Sequence, residues 1–153
     1  MQIEKLQAWF VQNKKTLALA ESCTGGKMSS LLTAIPGASD YFLGSLVTYS
    51  NGLKISLLHV SPATIQKYGA VSSETALEML SGLFKVTPAD YGIAVTGVAG
   101  PTGSKPIGTI HYALGQRGFP PQTGTFHLAG SRETIILSTA DLLLDLLLKN
   151  SSG

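Results

Sequence analysis

The sequence predicts an α/β chain, a three-layer α/β/α sandwich around a mixed, largely parallel sheet. Short apolar runs without polar alternation read as strands covered on both faces. Helical patterns separate these runs, so helices pack on both sides of the sheet. A length of 153 residues is the size of one layered domain spanning 1–153, large enough for one sizeable core and too short for two.

Ile3, Leu6, Trp9 and Phe10 recur at helical spacing, and Asn13-Lys14-Lys15 ends that first helix. Thr16-Leu17-Ala18-Leu19-Ala20 is the first buried strand and is expected at the centre of the sheet. Gly25-Gly26 then leads into a helix from Lys27, closed by Pro36-Gly37, an order typical of α/β active sites. Residues 41–50 are rich in aromatic and β-branched types and read as a second strand, with a short helix through Lys54 behind it. Ser61-Pro62 and Ser72-Ser73-Glu74 each open a helix. Residues 91–96 form a third buried strand, followed by a loop, residues 97–103, too glycine-rich for regular structure. Residues 107–114 and 122–128 pair as a hairpin through Arg117-Gly118-Phe119-Pro120-Pro121, and Ser131 caps the last helix.

Composition narrows the function classes. Charged residues make up 13% of the chain, hydrophobic residues 44%, and the net charge of +2 is scattered, so neither a disordered tail nor a nucleic-acid or acidic-membrane surface is indicated. One cysteine excludes an internal disulfide and a thiolate-only metal site, and it suits the cytoplasm. The N-terminus reads as an amphipathic helix and not as a signal peptide. The most apolar segment, residues 135–148, is interrupted by Asp141 and Asp145 and falls short of the ~20 residues that span a bilayer; it is a core or interface helix. Its leucines, with the low charge, lead to an expected homodimer or higher homo-oligomer.

Chemistry concentrates at Ala20-Glu21-Ser22-Cys23-Thr24-Gly25-Gly26. Where a buried strand gives way to a helix, the Ser22 hydroxyl would stand beside free backbone N–H groups able to hold an oxyanion. The turn alone leaves two readings open, a nucleophile or a helix cap, and caps are the commoner use of hydroxyls there. Its glycines also admit an anion cradle, although there is no Gly-Lys-Ser/Thr. A nucleophile needs a base. His59 ends a helix, and His111 and His127 lie in strands, so a histidine triad has little support. Lys54, just past Tyr49-Ser50-Asn51, would serve if desolvation lowered its pKa, the alternative being a solvated helix lysine. Cys23 is a competing nucleophile or a small buried side chain. Residues 96–103 would meet a phosphate through backbone amides, with Arg132 adding a bidentate contact, or would be a surface connection beside a solvated arginine.

The chain resembles the C-terminal domain of the competence/damage-inducible protein CinA, a family whose domain also occurs alone as nicotinamide-nucleotide amidase. The likeness spans nearly the whole sequence. It is carried by residues 20–26, by Val47-Thr48-Tyr49-Ser50-Asn51 with Lys54, by Gly69-Ala70-Val71-Ser72, by Thr96-Gly97-Val98-Ala99-Gly100-Pro101 and by Pro106-Ile107-Gly108-Thr109. The resemblance implies hydrolysis of the carboxamide of nicotinamide mononucleotide to nicotinic acid mononucleotide and ammonia, in pyridine nucleotide salvage, with no metal or organic cofactor. Its partner would be that small pyridine nucleotide, with no nucleic acid and no membrane. By matching position, Ser22 is the implied nucleophile, Lys54 the base, and Tyr49 the residue that assists or orients it. Amides around Cys23, Thr24, Gly25 and Gly26 would hold the oxyanion. Asn51, Thr96, Gly97, Gly100 and Arg132 complete the implied substrate-binding set. A non-catalytic nucleotide-binding or interaction module is the alternative, since relatives act as appended domains.

Three features depart from the family pattern. Gly130-Ser131-Arg132 stands where Gly-Asp-Arg is usual, losing a carboxylate that would orient the guanidinium. Gly44-Ser45-Leu46 replaces a glycine pair, with local repacking expected. The loop Gly103-Ser104-Lys105-Pro106 is short, and without the upstream domain of full CinA proteins the chain is expected to be the stand-alone form.

Overall fold

The computed structural model describes residues 2–152. Helix α1 (Ile3–Gln12) leads to strand β1 (Leu17–Glu21), helix α2 (Lys27–Thr33), a single 3-10 turn (Ala38–Asp40) and strand β2 (Phe42–Val47). Helices α3 (Asn51–Leu58), α4 (Pro62–Tyr68) and α5 (Ser73–Val86) follow, then strands β3 (Tyr91–Gly97), β4 (Thr109–Gln116) and β5 (Gln122–His127) and helix α6 (Arg132–Ser152). The sheet order is β2-β1-β3-β4-β5. β1 is parallel to β2 and β3, β4 is antiparallel to β3, and β5 is antiparallel to β4, so only β4 runs against the other strands. The sheet is mixed and largely parallel, as the sequence predicts.

The strand cores do alternate, but in size and not in polarity. Leu17, Leu19, Ile93, Val95, Ile110 and Tyr112 share one core with the apolar faces of α1, α2 and α6. Ala18, Ala20, Ala94 and Ala113 share the opposite core with Leu58, Met79, Leu80 and Leu83 of α3 and α5. Small side chains on that face let α5 approach closely. A Cβ on Gly92 would fall 2.9 Å from Leu80 Cδ1, and one on Gly82 only 1.7 Å from the Leu58 carbonyl oxygen.

All five strands differ from expectation at one end or both, and two of the shifts have a visible cause. β2 stops at Val47 because the carbonyls of Thr48 and Tyr49 turn to Lys54 and the Ser50 hydroxyl caps α3. β4 starts at Thr109 because Gly108, at φ +87°, donates its amide to Val98 O and holds residues 107–108 in the loop. Among the described residues no helix is long and apolar enough to cross a membrane.

Candidate active site

Because β1, β2 and β3 are parallel, their carboxyl ends open onto one edge of the sheet, where α/β proteins place ligands. Ser22 follows β1, the Lys54 helix follows β2, and the glycine-rich loop follows β3. They enclose a cleft of about 210 Å³ lined by Ser22, Cys23, Tyr49, Asn51, Lys54 and Arg132, with Thr96, Gly97 and Gly100 along its loop wall and Val71 and Val98 as apolar sides.

Ser22 sits at the base of the cleft, 7% exposed, its amide bonded to Val95 O at 3.1 Å. Lys54 lies one turn into α3. A helical side chain leans toward its helix N-terminus, and Lys54 therefore reaches back over the capped start of α3 toward the turn after β1. Its Nζ, on a residue 1% exposed, donates to Ser22 Oγ at 2.8 Å, to Thr48 O at 2.8 Å and to Tyr49 O at 3.1 Å. All three partners are neutral oxygens. Burial without a compensating carboxylate disfavours the ammonium, and the Lys54 pKa falls from 10.5 to about 8.

The hydrogen-bond pattern gives that shift a direction. The two carbonyls can only accept, so they engage two N–H bonds of either form of the amine. Once Lys54 is neutral, its lone pair has one place to point, and the 2.8 Å contact becomes Ser22 O–H donating to Nζ. That is the geometry of a base poised on a nucleophile. Cys23 lies beside it, but burial pushes its thiol up to about 12, so it holds its proton at neutral pH.

Tyr49 reaches Lys54 through its carbonyl and not its hydroxyl. The hydroxyl, on a side chain 60% exposed, accepts from Arg132 Nη2 at 3.0 Å, while Arg132 Nη1 donates to Gly100 O at 2.7 Å. These two oxygens orient the guanidinium where the sequence comparison looked for a carboxylate. The expected oxyanion amides are corrected in part. Thr24, Gly25 and Gly26 do not line the cleft, and the Gly25 amide is spent on Ser22 O at 3.0 Å. Among the described residues the amides of Thr24 and Gly26 carry no hydrogen bond, but Cys23 is the turn residue beside Ser22 that lines the cleft, which leaves Cys23 N as the donor the turn can offer there. Gly25 and Gly26, at φ +58° and +101°, serve the backbone turn, since a Cβ on either meets nothing closer than 3.8 Å. The Thr96 hydroxyl is likewise committed, donating to Ala70 O at 2.8 Å and fastening the start of the loop. None of the three histidines lines the cleft.

One residue escaped the sequence reading. Glu21, at the end of β1, is fully buried, and its carboxylate accepts from Thr24 Oγ1, Met28 N, Ser29 N and Ser45 Oγ. The available signal was a charge closing an otherwise apolar strand, with a threonine three residues on; a buried carboxylate requires donors. The unusual Ser45 is one of them.

Among known proteins, the family model described as CinA C-terminal domain matches residues 2–151. A CinA-like protein of Thermotoga neapolitana is 47% identical over 142 residues, which cover 91% of this chain and 34% of that protein. A putative competence-damage inducible protein of Alkaliphilus metalliredigens is 44% identical over 90% of this chain and 34% of its own length. The chain thus spans about a third of the curated relatives it matches. The crystal structure of a competence or damage-inducible protein from Enterobacter asburiae superposes with a TM-score of 0.94 at 32% identity, covering 97% of this chain and 95% of that one. The corresponding Agrobacterium tumefaciens structure gives 0.89 at 34% identity, covering 96% and 94%. With the family model matching nearly the whole chain and the sequence and fold of these relatives in agreement, the chain belongs to the CinA C-terminal domain family.

Proposed function

We propose that the cleft is the active site of an amidohydrolase that removes ammonia from the carboxamide of nicotinamide mononucleotide. The observation that carries this reading is the buried Lys54 Nζ 2.8 Å from Ser22 Oγ, with its pKa lowered to about 8. Neutral Lys54 takes the Ser22 proton as Oγ attacks the carboxamide carbon, and the Cys23 amide, on the turn residue that lines the cleft, is the donor nearest the oxyanion. The Lys54 ammonium then protonates the departing nitrogen, and ammonia leaves an ester on Ser22. A water molecule, deprotonated by the regenerated amine, attacks that ester and releases the carboxylic acid. The balance is one water consumed and one ammonia released, with no redox step.

Arg132 supports the other end of the substrate. It offers a planar cation at the cleft wall beside Gly100 and Tyr49, suited to the phosphate of a mononucleotide. The apolar sides at Val71 and Val98 suit a flat ring between the two polar ends.

The test is ammonia release from nicotinamide mononucleotide by wild type and Ser22→Ala. The reading expects turnover by wild type and a loss of at least about 10³-fold in the alanine variant. Wild-type turnover in Ser22→Ala would remove the nucleophile. The second reading, a nucleotide-binding module, is favoured by the span of only about a third of the curated relatives. Tight binding of the mononucleotide with no ammonia released by wild type selects it.

A further inference from the structure

Glu21 takes no part in the steps above, yet its four hydrogen bonds tie together the elements that carry them. Oε1 accepts from Thr24 Oγ1 at 2.8 Å and Met28 N at 3.0 Å; Oε2 accepts from Ser29 N at 3.3 Å and Ser45 Oγ at 2.7 Å. The first contact fixes the turn that holds Ser22 and the unbonded amides behind it. The two N–H groups belong to the first turn of α2, so the positive end of that helix is occupied by an internal anion and closed to a substrate anion. The last contact reaches β2, the strand whose exit brings the Thr48 and Tyr49 carbonyls to Lys54.

We infer that Glu21 is a positioning residue, holding Ser22 and Lys54 in register by bonding the β1–α2 turn and β2 through one buried carboxylate. The Ser22 and Lys54 sides of the site are far apart in sequence, and among the described residues the side-chain hydrogen bonds that join the β1–α2 turn to β2 and α3 are Lys54–Ser22 and Ser45–Glu21, beside the backbone pairing of β1 with β2 and of Thr48 N with Glu21 O. Glu21 adds a second, lateral tie at the sheet edge, where the 2.8 Å contact must be kept. The inference rests on the Ser22–Lys54 reading and leaves the identity of the amide substrate open.

The experiment follows two readouts in the full chain. One is the rate at which phenylmethanesulfonyl fluoride labels Ser22, followed by intact mass. The other is kcat and KM for ammonia release from nicotinamide mononucleotide. In Glu21→Gln the amide oxygen still accepts from Thr24 and Met28, but its NH2 faces the Ser29 N–H as a second donor. Labelling and kcat should each fall on the order of 10- to 100-fold, with KM within about twofold. Ser45→Ala removes one tie and leaves α2 capped, so it should show the same split at a smaller size, about threefold. If Glu21→Gln fails to melt cooperatively, Ser45→Ala decides alone. Folded variants that label and turn over at the wild-type rate overturn the inference, as does a wild-type Ser22 that the reagent never labels. Variant-dependent labelling without turnover of the mononucleotide by wild type supports the positioning role and rejects the substrate.

Discussion

At the residue scale, the site depends on a lysine in an environment that disfavours its charge. Lowering Lys54 from 10.5 to about 8 corresponds to about 3 kcal/mol of stability withheld wherever the unfolded chain is protonated and the folded chain is asked to be. The sign follows from proton counting. Between pH 8 and 10.5 the unfolded state binds more protons, so stability rises with pH in that window; the cost is full below pH 8 and gone above 10.5. Denaturant unfolding across this range should show a more positive slope with pH in wild type than in Lys54→Met, and equal slopes would mean Lys54 is not desolvated. The comparison with the variant also separates Lys54 from Cys23 and Tyr41, two acids that burial pushes up to about 12 and that lower stability as pH rises above their ordinary values. Of these residues, the bare sequence left Ser22 open between nucleophile and helix cap, and Lys54 and Arg132 between site residues and solvated side chains; the family resemblance singled them out, and the fold brings all three to one cleft. Glu21 was not legible, since a glutamate ending a strand looks like a solvated charge until the sheet buries it. The role of Tyr49 was half legible, because motif position cannot tell a carbonyl from a hydroxyl as the working group.

At the scale of the element, the turn after β1 does its work through backbone shape. Gly25 at φ +58° sits in the ordinary left-handed region with open space around it, whereas Gly26 at +101° lies beyond that region. Gly25→Asn should therefore keep stability within about 1 kcal/mol and activity within a few-fold. Gly26→Ala should cost more, about 1–3 kcal/mol, and should lower kcat with it. Chemical denaturation and kinetics of the two variants check this; the reverse order would mean that space, and not φ, sets the glycines. The sequence supports a tight turn and even an anion cradle here, but hydrogen-bond accounting takes the α2 amides and Gly25 N out of that cradle and leaves Cys23 N facing the cleft. Glu21 takes the α2 amides and Ser22 O takes Gly25 N. The loop after β3 was legible as irregular from residue 98 on, Gly97 pairing with Ile110 as the last residue of β3, while the end of β2 was not legible, because its last apparent strand residues are drawn into carbonyl contacts with Lys54.

At the scale of the whole molecule, layering and parallel strand direction were legible from unalternating apolar runs. What those runs hid was alternation in size, with leucine, isoleucine and valine against α1, α2 and α6, and alanine against α5. The apolar pattern of α6 likewise reads differently in the fold. Ile135, Leu143, Leu144 and Leu147 enter the core, so most of the apolar character that suggested an oligomer is used within the chain, and Leu137 and Leu142 remain exposed. The same architecture makes the dyad, since residues 32 positions apart meet only because β1 and β2 are adjacent and parallel.

The most direct test of that dyad is the pH profile of kcat/KM for ammonia release from nicotinamide mononucleotide, between pH 6 and 9. Deprotonated Lys54 as base requires activity to climb close to tenfold per pH unit and level off near the lowered pKa, about 8, with Lys54→Met down by about 10²- to 10⁴-fold throughout. A flat profile across that range, or a methionine variant as active as wild type, would contradict it.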